Sequence, residues 1–564
     1  MTSSNSELDR LRSGRSELEN HYIDELVNGN VSRRDFLRRG STIGMSVPLL
    51  GAILAACGAS SPASSSSSSK TTAAAPAAKG GTLRIASVAP AAAVNPLTVS
   101  DAGGLCMLNQ TGEFLVFDSN LKLALQPMLA LNWSPNADAS VWTFKLRTGV
   151  TFSNGAAMTA DDVVYTFQQL SDTANASNAL STFTGVLTPA GVKALDPSTV
   201  QFTLEAPNGN FPYLVSSDNY NAIIVPKGTD FSKWQSTFIG TGAFKLQRYT
   251  QNVGATFVPN PTYWGTKALL SMTSFQFFTS QTPMITALQG SSVDVVAQFV
   301  PAGASGILNN SSYKIINLKS ANHRELSMRN DIPPFTDARV RQAVAYTLNR
   351  PAMVAGLLDG YGSVANDTPF GPRFPSTDTS VPQRVQNIAK AKQLLAAAGH
   401  PNGFSVKLDT EQYEEVPQLA TVIAQDAKAA GIDIALNVES QTLYYGKSTY
   451  GNSDWLDGTM SLVDYGDRGV PNVFLEAPLT SNGPWNAARF HNPTYDGLVK
   501  QFVAAVDLTS QRQIAGKIET LLLAETPIVI PYWIDGLTAS TPNVGGLNPT
   551  SIAQLYLNTA YKSA

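Results

Sequence analysis

The 564-residue chain contains four histidines and two cysteines, and that scarcity bounds the chemistry it could carry out. His21, His323, His400 and His491 are scattered, and no H-E-x-x-H brings two imidazoles to one helix face. Two cysteines are too few for a metal cluster or a disulfide scaffold. No G-x-S-x-G elbow presents a serine nucleophile. Gly446-Lys447-Ser448 has the ending of a phosphate-binding loop, but Gln441 stands where its first glycine must be. Ser311-Ser312-Tyr313-Lys314 fits the short nucleophile pattern S-x-x-K without the K-T-G and S-D-N that complete it. Gly240-Thr241-Gly242 lacks the third glycine of a dinucleotide fingerprint and precedes a strand pattern, not a helix. Each absence is weak evidence. Together they point to a protein without catalytic residues, intrinsic cofactor or metal.

Charge narrows the reading further. The chain has 39 Lys+Arg against 42 Asp+Glu, a formal charge of -3, and only 14% charged residues, where an average protein has about 25%. A nucleic-acid binder would need clustered basic charge to displace phosphate counterions. A disordered chain would not be 43% hydrophobic and 9% aromatic. What remains is a large folded protein with a neutral, polar surface. At ~150 residues per domain its length suggests three to four domains.

The first 79 residues read as an address and a tether. Ser32-Arg33-Arg34-Asp35-Phe36-Leu37-Arg38 matches the twin-arginine export pattern S/T-R-R-x-F-L-K at six of seven positions. The apolar stretch that follows, residues 41–56, is broken by Gly44, Pro48 and Gly51. It is shorter than the ~20 residues a bilayer-spanning helix needs. It ends in Leu54-Ala55-Ala56-Cys57, which resembles the lipobox of bacterial lipoproteins. That resemblance implies cleavage ahead of Cys57 and a diacylglycerol on its thiol, placing the protein on the outer face of the bacterial cytoplasmic membrane. Residues 58–79, with six consecutive serines from Ser64 to Ser69, cannot bury a core and serve as a flexible linker. With Cys57 acylated, Cys106 is the one remaining thiol and no internal disulfide can form.

The rest of the chain must position whatever site exists, and its pattern is mixed α/β. Thr82–Ala86 alternates between bounding glycines, Trp142–Arg147 alternates as a half-buried strand does, and Thr199–Leu204 and Phe244–Tyr249 are further strand candidates. Thr159 with Asp161 and Asp162 starts a helix that carries Val163, Val164 and Phe167 at helical spacing. Asp337 caps a helix whose Val340, Val344 and Leu348 share a face. Asn349-Arg350-Pro351 breaks it, and Pro351 suits the first turn of the next. Residues 388–398 form a helix closed by Gly399. A strand at 404–408, a helix near 416–429 stopped by Gly431 and a strand at 432–438 make a βαβ-like unit. Residues 511–524 form a further amphipathic helix.

Eight ordered segments carry a resemblance. They are Gly80-Gly81-Thr82-Leu83-Arg84-Ile85, residues 126–133 (QPMLALNW), 142–155 (WTFKLRTGVTFSNG), 158–165 (MTADDVVY), 240–246 (GTGAFKL) and 260–265 (NPTYWG). Pro333–Ala343 (PPFTDARVRQA), with Asn349-Arg350, and 389–399 (AKAKQLLAAAG) complete the series. From about residue 80 to 560 the chain resembles the extracytoplasmic solute-binding proteins of ABC importers, family 5, which take peptides, nickel and oligopeptides. The resemblance implies a periplasmic-binding-protein-like, two-lobe (Venus flytrap) α/β fold with an extra domain inserted in lobe I. Lobe I would be 80–112, 208–320 and 531–564, the inserted domain 113–207 and lobe II 321–530. Residues 1–56 are then the signal peptide and 57–79 the tether. Ligand would be enclosed between closing lobes and presented to a membrane permease and its ATPase subunits.

The same resemblance suggests which residues hold ligand. In peptide-binding relatives an Asp in lobe II pairs with the peptide α-ammonium, and Asp464, in Asp464-Tyr465-Gly466-Asp467-Arg468, falls on that position. A buried ammonium requires an opposite charge or several acceptors, so a carboxylate suits it. Arg468 replaces the expected proline, and Gly458 and Ser461 occupy the positions of an Arg and a Trp. A salt bridge to a peptide carboxylate is therefore sought elsewhere, at Arg324, Arg468 or Arg373. Asn366, Asp367 and Phe370 lie where relatives place a pocket-lining loop, and Trp485 and Trp455 could stack on ligand. The expected protein is a monomeric, lipid-anchored receptor for a peptide-like solute. The alternatives are a same-fold binder of an oligosaccharide, metal chelate or opine-like conjugate, a sensory receptor feeding a membrane kinase, or a twin-arginine-exported enzyme.

Overall fold

The computed structural model describes residues 80–119 and 124–563. The export pattern, Cys57 and the serine-rich tether lie outside these residues. Among the described residues no helix is long and apolar enough to cross a membrane.

One continuous twelve-stranded sheet organises the molecule. From one edge its strands run Ile432–Glu439, Phe404–Glu411, Met460–Tyr465, Lys314–Met328, Tyr532–Ser540, Val295–Phe299, Thr82–Val88, Met272–Phe278, Gly254–Pro259 and Phe244–Thr250, and two short strands join them. Lys314–Met328 and Tyr532–Ser540 belong to both ends. Lys314 pairs with Ser540 at one end, whereas Met328 pairs with Met460 at the other. Their ladder is interrupted between Leu318 and Asn322, where the chain passes from one half of the molecule to the other.

In the first half Thr82–Val88 runs parallel to both Met272–Phe278 and Val295–Phe299. A separate four-stranded antiparallel sheet is built from Ala130–Pro135, Val141–Leu146, Thr199–Thr203 and Val192–Asp196. The helix Ala160–Ser171 closes it, and the Asp162 carboxylate accepts the Thr159 N–H at 2.8 Å, as the sequence predicts for a capped start. Phe144, Phe167, Phe202 and Phe211 stack edge-on in its core, which is continuous with the first half's own.

The second half is a three-layer sandwich. Met460 and Leu462 feed one core with Val340, Val344, Leu419 and Ile423; Val463 and Tyr465 feed the other with Phe474, Tyr495 and Ile518. Met460, Ser461, Leu462 and Val463 are accordingly all buried, so both faces of this strand are covered. The βαβ unit forms as expected, with Phe404–Glu411 and Ile432–Glu439 parallel and joined by Val416–Lys428. Asp337 and Asn349 cap the helices Ala338–Thr347 and Arg350–Leu357. The last long helix, Leu508–Glu525, starts three residues before the predicted 511 because Asp507 accepts the Ser510 N–H at 2.8 Å.

Candidate ligand-binding site

Three parallel strands of the second half, Phe404–Glu411, Ile432–Glu439 and Met460–Tyr465, end on the same side of the sheet. From Phe404–Glu411 the chain turns one way, to Ile432–Glu439; Met460–Tyr465 lies on the other flank. The crevice at such a switch in direction, outside the carboxyl ends of the strands, is where α/β sheets accept ligands. Glu411 and Asp464 end the two strands there.

Asp464 and Glu411 form one polar unit. The Tyr445 hydroxyl lies 2.8 Å from Glu411 Oε1 and 3.0 Å from Asp464 Oδ1, the Asp464 N–H donates to Glu411 Oε1 at 3.2 Å, and Gln441 donates to Glu411 Oε2 at 2.7 Å. Glu411 thus accepts a backbone and an amide N–H, and the Tyr445 hydroxyl bridges it to Asp464. Burial, reinforced by the charge of Asp464, pushes Glu411 up to about 7. The unit therefore carries negative charge beside a removable proton, a surface suited to a cationic group. Glu411 and Tyr445 were not anticipated; the signal available was an acid at the end of the first strand of the βαβ unit.

From this pair an aromatic path leads outward. Tyr445 meets Trp455 at 5.4 Å between ring centroids, Trp455 meets Trp485 at 6.3 Å, and Trp485 stacks on Tyr465 at 6.1 Å. Trp485 lines a cleft of ≈ 670 Å³ between the halves, with Val473 and Thr480 beside it and Leu180, Val186 and Leu214 opposite. A cleft of that size and mixed character is typical of small-molecule sites. Tyr465 is buried beneath Trp485, facing the layer opposite Asp464. Arg468 lines an adjoining recess with Ser181, Thr182 and Asp218.

Other expected site residues are occupied elsewhere. Arg324 stands in register with Asp464 but is fully buried, donating to Glu414 at 2.7 Å and Glu415 at 3.0 Å. Its charge is already matched, so in place of a ligand carboxylate it holds the loop after Phe404–Glu411. Asp367 is likewise buried between Arg350, at 2.7 Å, and Arg384, at 2.7 Å. Asn366 accepts the Arg384 N–H at 2.8 Å and donates to the Pro382 carbonyl, and Phe370 packs edge-on against Phe502. The 366–370 loop is thus tied into the body of the second half, not presented to the cleft. Arg373 is buried among Asp118, Asp218 and Asp467.

A family model described as bacterial extracellular solute-binding proteins, family 5 Middle, matches residues 124–483. The chain belongs to that family. It is 26% identical over 463 residues to the periplasmic murein peptide-binding protein MppA of Escherichia coli K12, covering 75% of this chain and 84% of that one. To the nickel-binding periplasmic protein of the same organism it is 24% identical over 458 residues, covering 76% and 84%. The structure of HbpA2 from Haemophilus parasuis superposes with a TM-score of 0.76 at 22% identity, over 86% of this chain and all of the other (100%). These matches establish the two-lobe α/β fold of a solute-binding protein, and with it a binding protein, not an enzyme.

Proposed function

We propose that the chain is the receptor of an ABC importer for a peptide-like solute with a free amine, enclosed between its lobes and delivered to a membrane permease. The observation that carries this reading is the Glu411–Tyr445–Asp464 unit, an anionic group at the switch point of lobe II. It suits an ammonium, and Trp485, which lines the cleft between the halves, suits apolar side chains and amides. The resemblance to a murein peptide-binding protein agrees with it. Twin-arginine export, a lipid on Cys57 and the tether through residue 79 would hold this receptor beside its permease. The lobe boundaries named from the sequence, at residues 112, 207, 320 and 530, belong to the same proposal.

The testing experiment is a thermal-shift screen of di- to pentapeptides, their N-acetylated forms, oligosaccharides and nickel chelates. A ligand at one hundred times its Kd stabilises by ~2.7 kcal/mol, a shift easily read. Stabilisation by free-amine peptides and not by acetylated ones is expected. Stabilisation by oligosaccharides or chelates alone would overturn the peptide reading. Anchoring is checked separately by labelling with a radioactive fatty acid, expected in the native chain and lost in Cys57→Ala.

A further inference from the structure

Deep between the lobes lies a charge cluster that no ligand contact explains. Asp118, on the strand Val116–Ser119, and Asp218 come from the lobe I side, flanking the first half's core at Val116 and Val215. Arg373 and Asp467 come from lobe II, next to Phe374 and Tyr465. The Arg373 guanidinium reaches Asp118 at 2.7 Å, Asp467 at 3.2 Å and Asp218 at 3.5 Å, with all four side chains at most 7% exposed. Asp467 also accepts the Ala321 N–H and the Ser551 hydroxyl, at the point where the chain crosses between lobes. Gly469 completes the contact. A β-carbon there would stand 2.5 Å from Asp218 Cγ and 2.8 Å from Asp118 Oδ2, so only glycine lets the lobe II backbone approach both acids.

We propose that Arg373, gripping Asp118 and Asp218 over Gly469, is an interlobe latch that sets the balance between closed and open forms without touching ligand. The proposal rests on the two-lobe closure of the reading above and is independent of which solute is bound. Opening separates Arg373 from Asp118 and Asp218 while Arg373 keeps Asp467 within lobe II, and the hydration the separated groups regain roughly offsets the two ion pairs lost. A buried cluster of this kind therefore holds two states near balance, as a switch requires. Through that balance Arg373 scales the apparent ligand affinity by the fraction of competent molecules.

Three carboxylates against one guanidinium also make the latch respond to protons. Asp218 is the member farthest from Arg373, and its Oδ1 accepts no hydrogen bond. The groups facing it among the described residues are Arg373, Asp118, Asp467, Tyr213 and the Gly469 N–H, with Arg468 in the same recess. Burial, assisted by Asp118 and Asp467 and opposed by Arg373, pushes Asp218 up to about 7, and Asp118 shifts in the same direction. Exposure on opening returns Asp218 toward its ordinary value, so closing takes up a proton. The closing equilibrium accordingly weakens by up to tenfold per pH unit as pH rises to about 7, and levels off above it.

Small-angle scattering of the protein without ligand, at about pH 5.5 and about pH 8.5, bracketing the titration, tests this. The native protein is expected to be more compact at the lower pH. Asp218→Asn, which cannot ionise, should stay compact at both. Arg373→Met and Gly469→Ala should be extended at both, the second by adding one methyl group and no change of charge. Circular dichroism establishes that each variant is folded; Gly469→Ala keeps the test decisive if Arg373→Met misfolds. Profiles of Gly469→Ala and Arg373→Met that superpose on the native one, or a native profile unchanged by pH, would overturn the latch. Because no solute is present, these outcomes are separate from failure of the peptide screen.

Discussion

Asp367 offers the sharpest separation between a ligand contact and a structural charge. Its carboxylate lies 2.7 and 2.8 Å from Arg350 Nη2 and 2.7 Å from Arg384 Nη1, with the carboxylate 0% and the two arginines 1% and 5% exposed. The residue adopts φ +54°, a left-handed conformation that asparagine tolerates well. Asp367→Asn therefore removes charge with little change of volume or backbone strain. Breaking a buried pair costs ~3–5 kcal/mol, against ~0–1 for an exposed one. Arg384 keeps the Leu523 carbonyl and Thr526 hydroxyl as partners, whereas Arg350 keeps only the Ala345 carbonyl. The loss thus falls mainly on Arg350, and the middle of that range, ~4 kcal/mol, is the expected value. With a urea m-value of ~3 kcal/mol/M the unfolding midpoint of lobe II should fall by ~1.3 M. Affinity for any bound solute should be unchanged in the folded variant. A stability loss below ~1 kcal/mol, or a loss of affinity with stability intact, would refute the assignment and return Asp367 to the ligand site.

Asp464→Ala should weaken free-amine peptides by ~2–5 kcal/mol by titration calorimetry; unchanged affinity would remove Asp464 from the amine site. Glu411 has its folded pKa raised from 4.5 to about 7, so the native protein loses stability as pH climbs through that window. Glu411→Gln is spared that loss, and its Tm advantage should grow from about pH 4.5 to about pH 7 and then level off; an advantage that shrinks with rising pH would contradict the upward shift of the Glu411 carboxyl. Cys106 is fully buried and burial pushes its thiol up. A thiol reagent should therefore modify it no faster than the protein unfolds, and rapid labelling of the folded protein would contradict its burial.

The sequence was most informative where local chemistry decides the outcome. Thr159, Asp337 and Asn349 act at helix starts with their own side chains or those three residues on, so their roles are written in adjacent residues. The βαβ unit around Val416–Lys428 follows from periodicity and its bounding glycines. Lys314–Met328 and Tyr532–Ser540 were not legible, because their identity as shared strands depends on partners hundreds of residues away. The site suffered from the same non-locality. Arg324, Asp367 and Arg373 look like ligand-seeking charges in one dimension, and each finds its partner 90, 17 or 255 residues away. Trp485 and Arg468 do line the space between the lobes.

The segments that make the family recognisable are those that hold the chain to itself. Glu113, buried and pushed up to about 7 by its burial, accepts from Thr241 at 2.8 Å, Tyr263 at 2.9 Å and Trp264 at 2.8 Å. It joins two recognisable segments, 240–246 and 260–265, through one carboxyl. Arg341, in the segment 333–343, donates to the Phe335 carbonyl at 2.6 Å and to those of Glu525 and Thr526, which end the last long helix. Arg350, beside that segment, is committed to Asp367. Each tie is a buried polar group whose removal strands its partners, so substitutions there act on folding before they act on binding. Glu411, Tyr445 and Trp485 lie outside all eight segments and touch the crevice and its path. A fold tied together through its recognisable segments, with Glu411, Tyr445 and Trp485 drawn from other segments, can exchange ligands without exchanging its fold. The same separation explains why resemblance identifies the architecture of this chain more firmly than its solute.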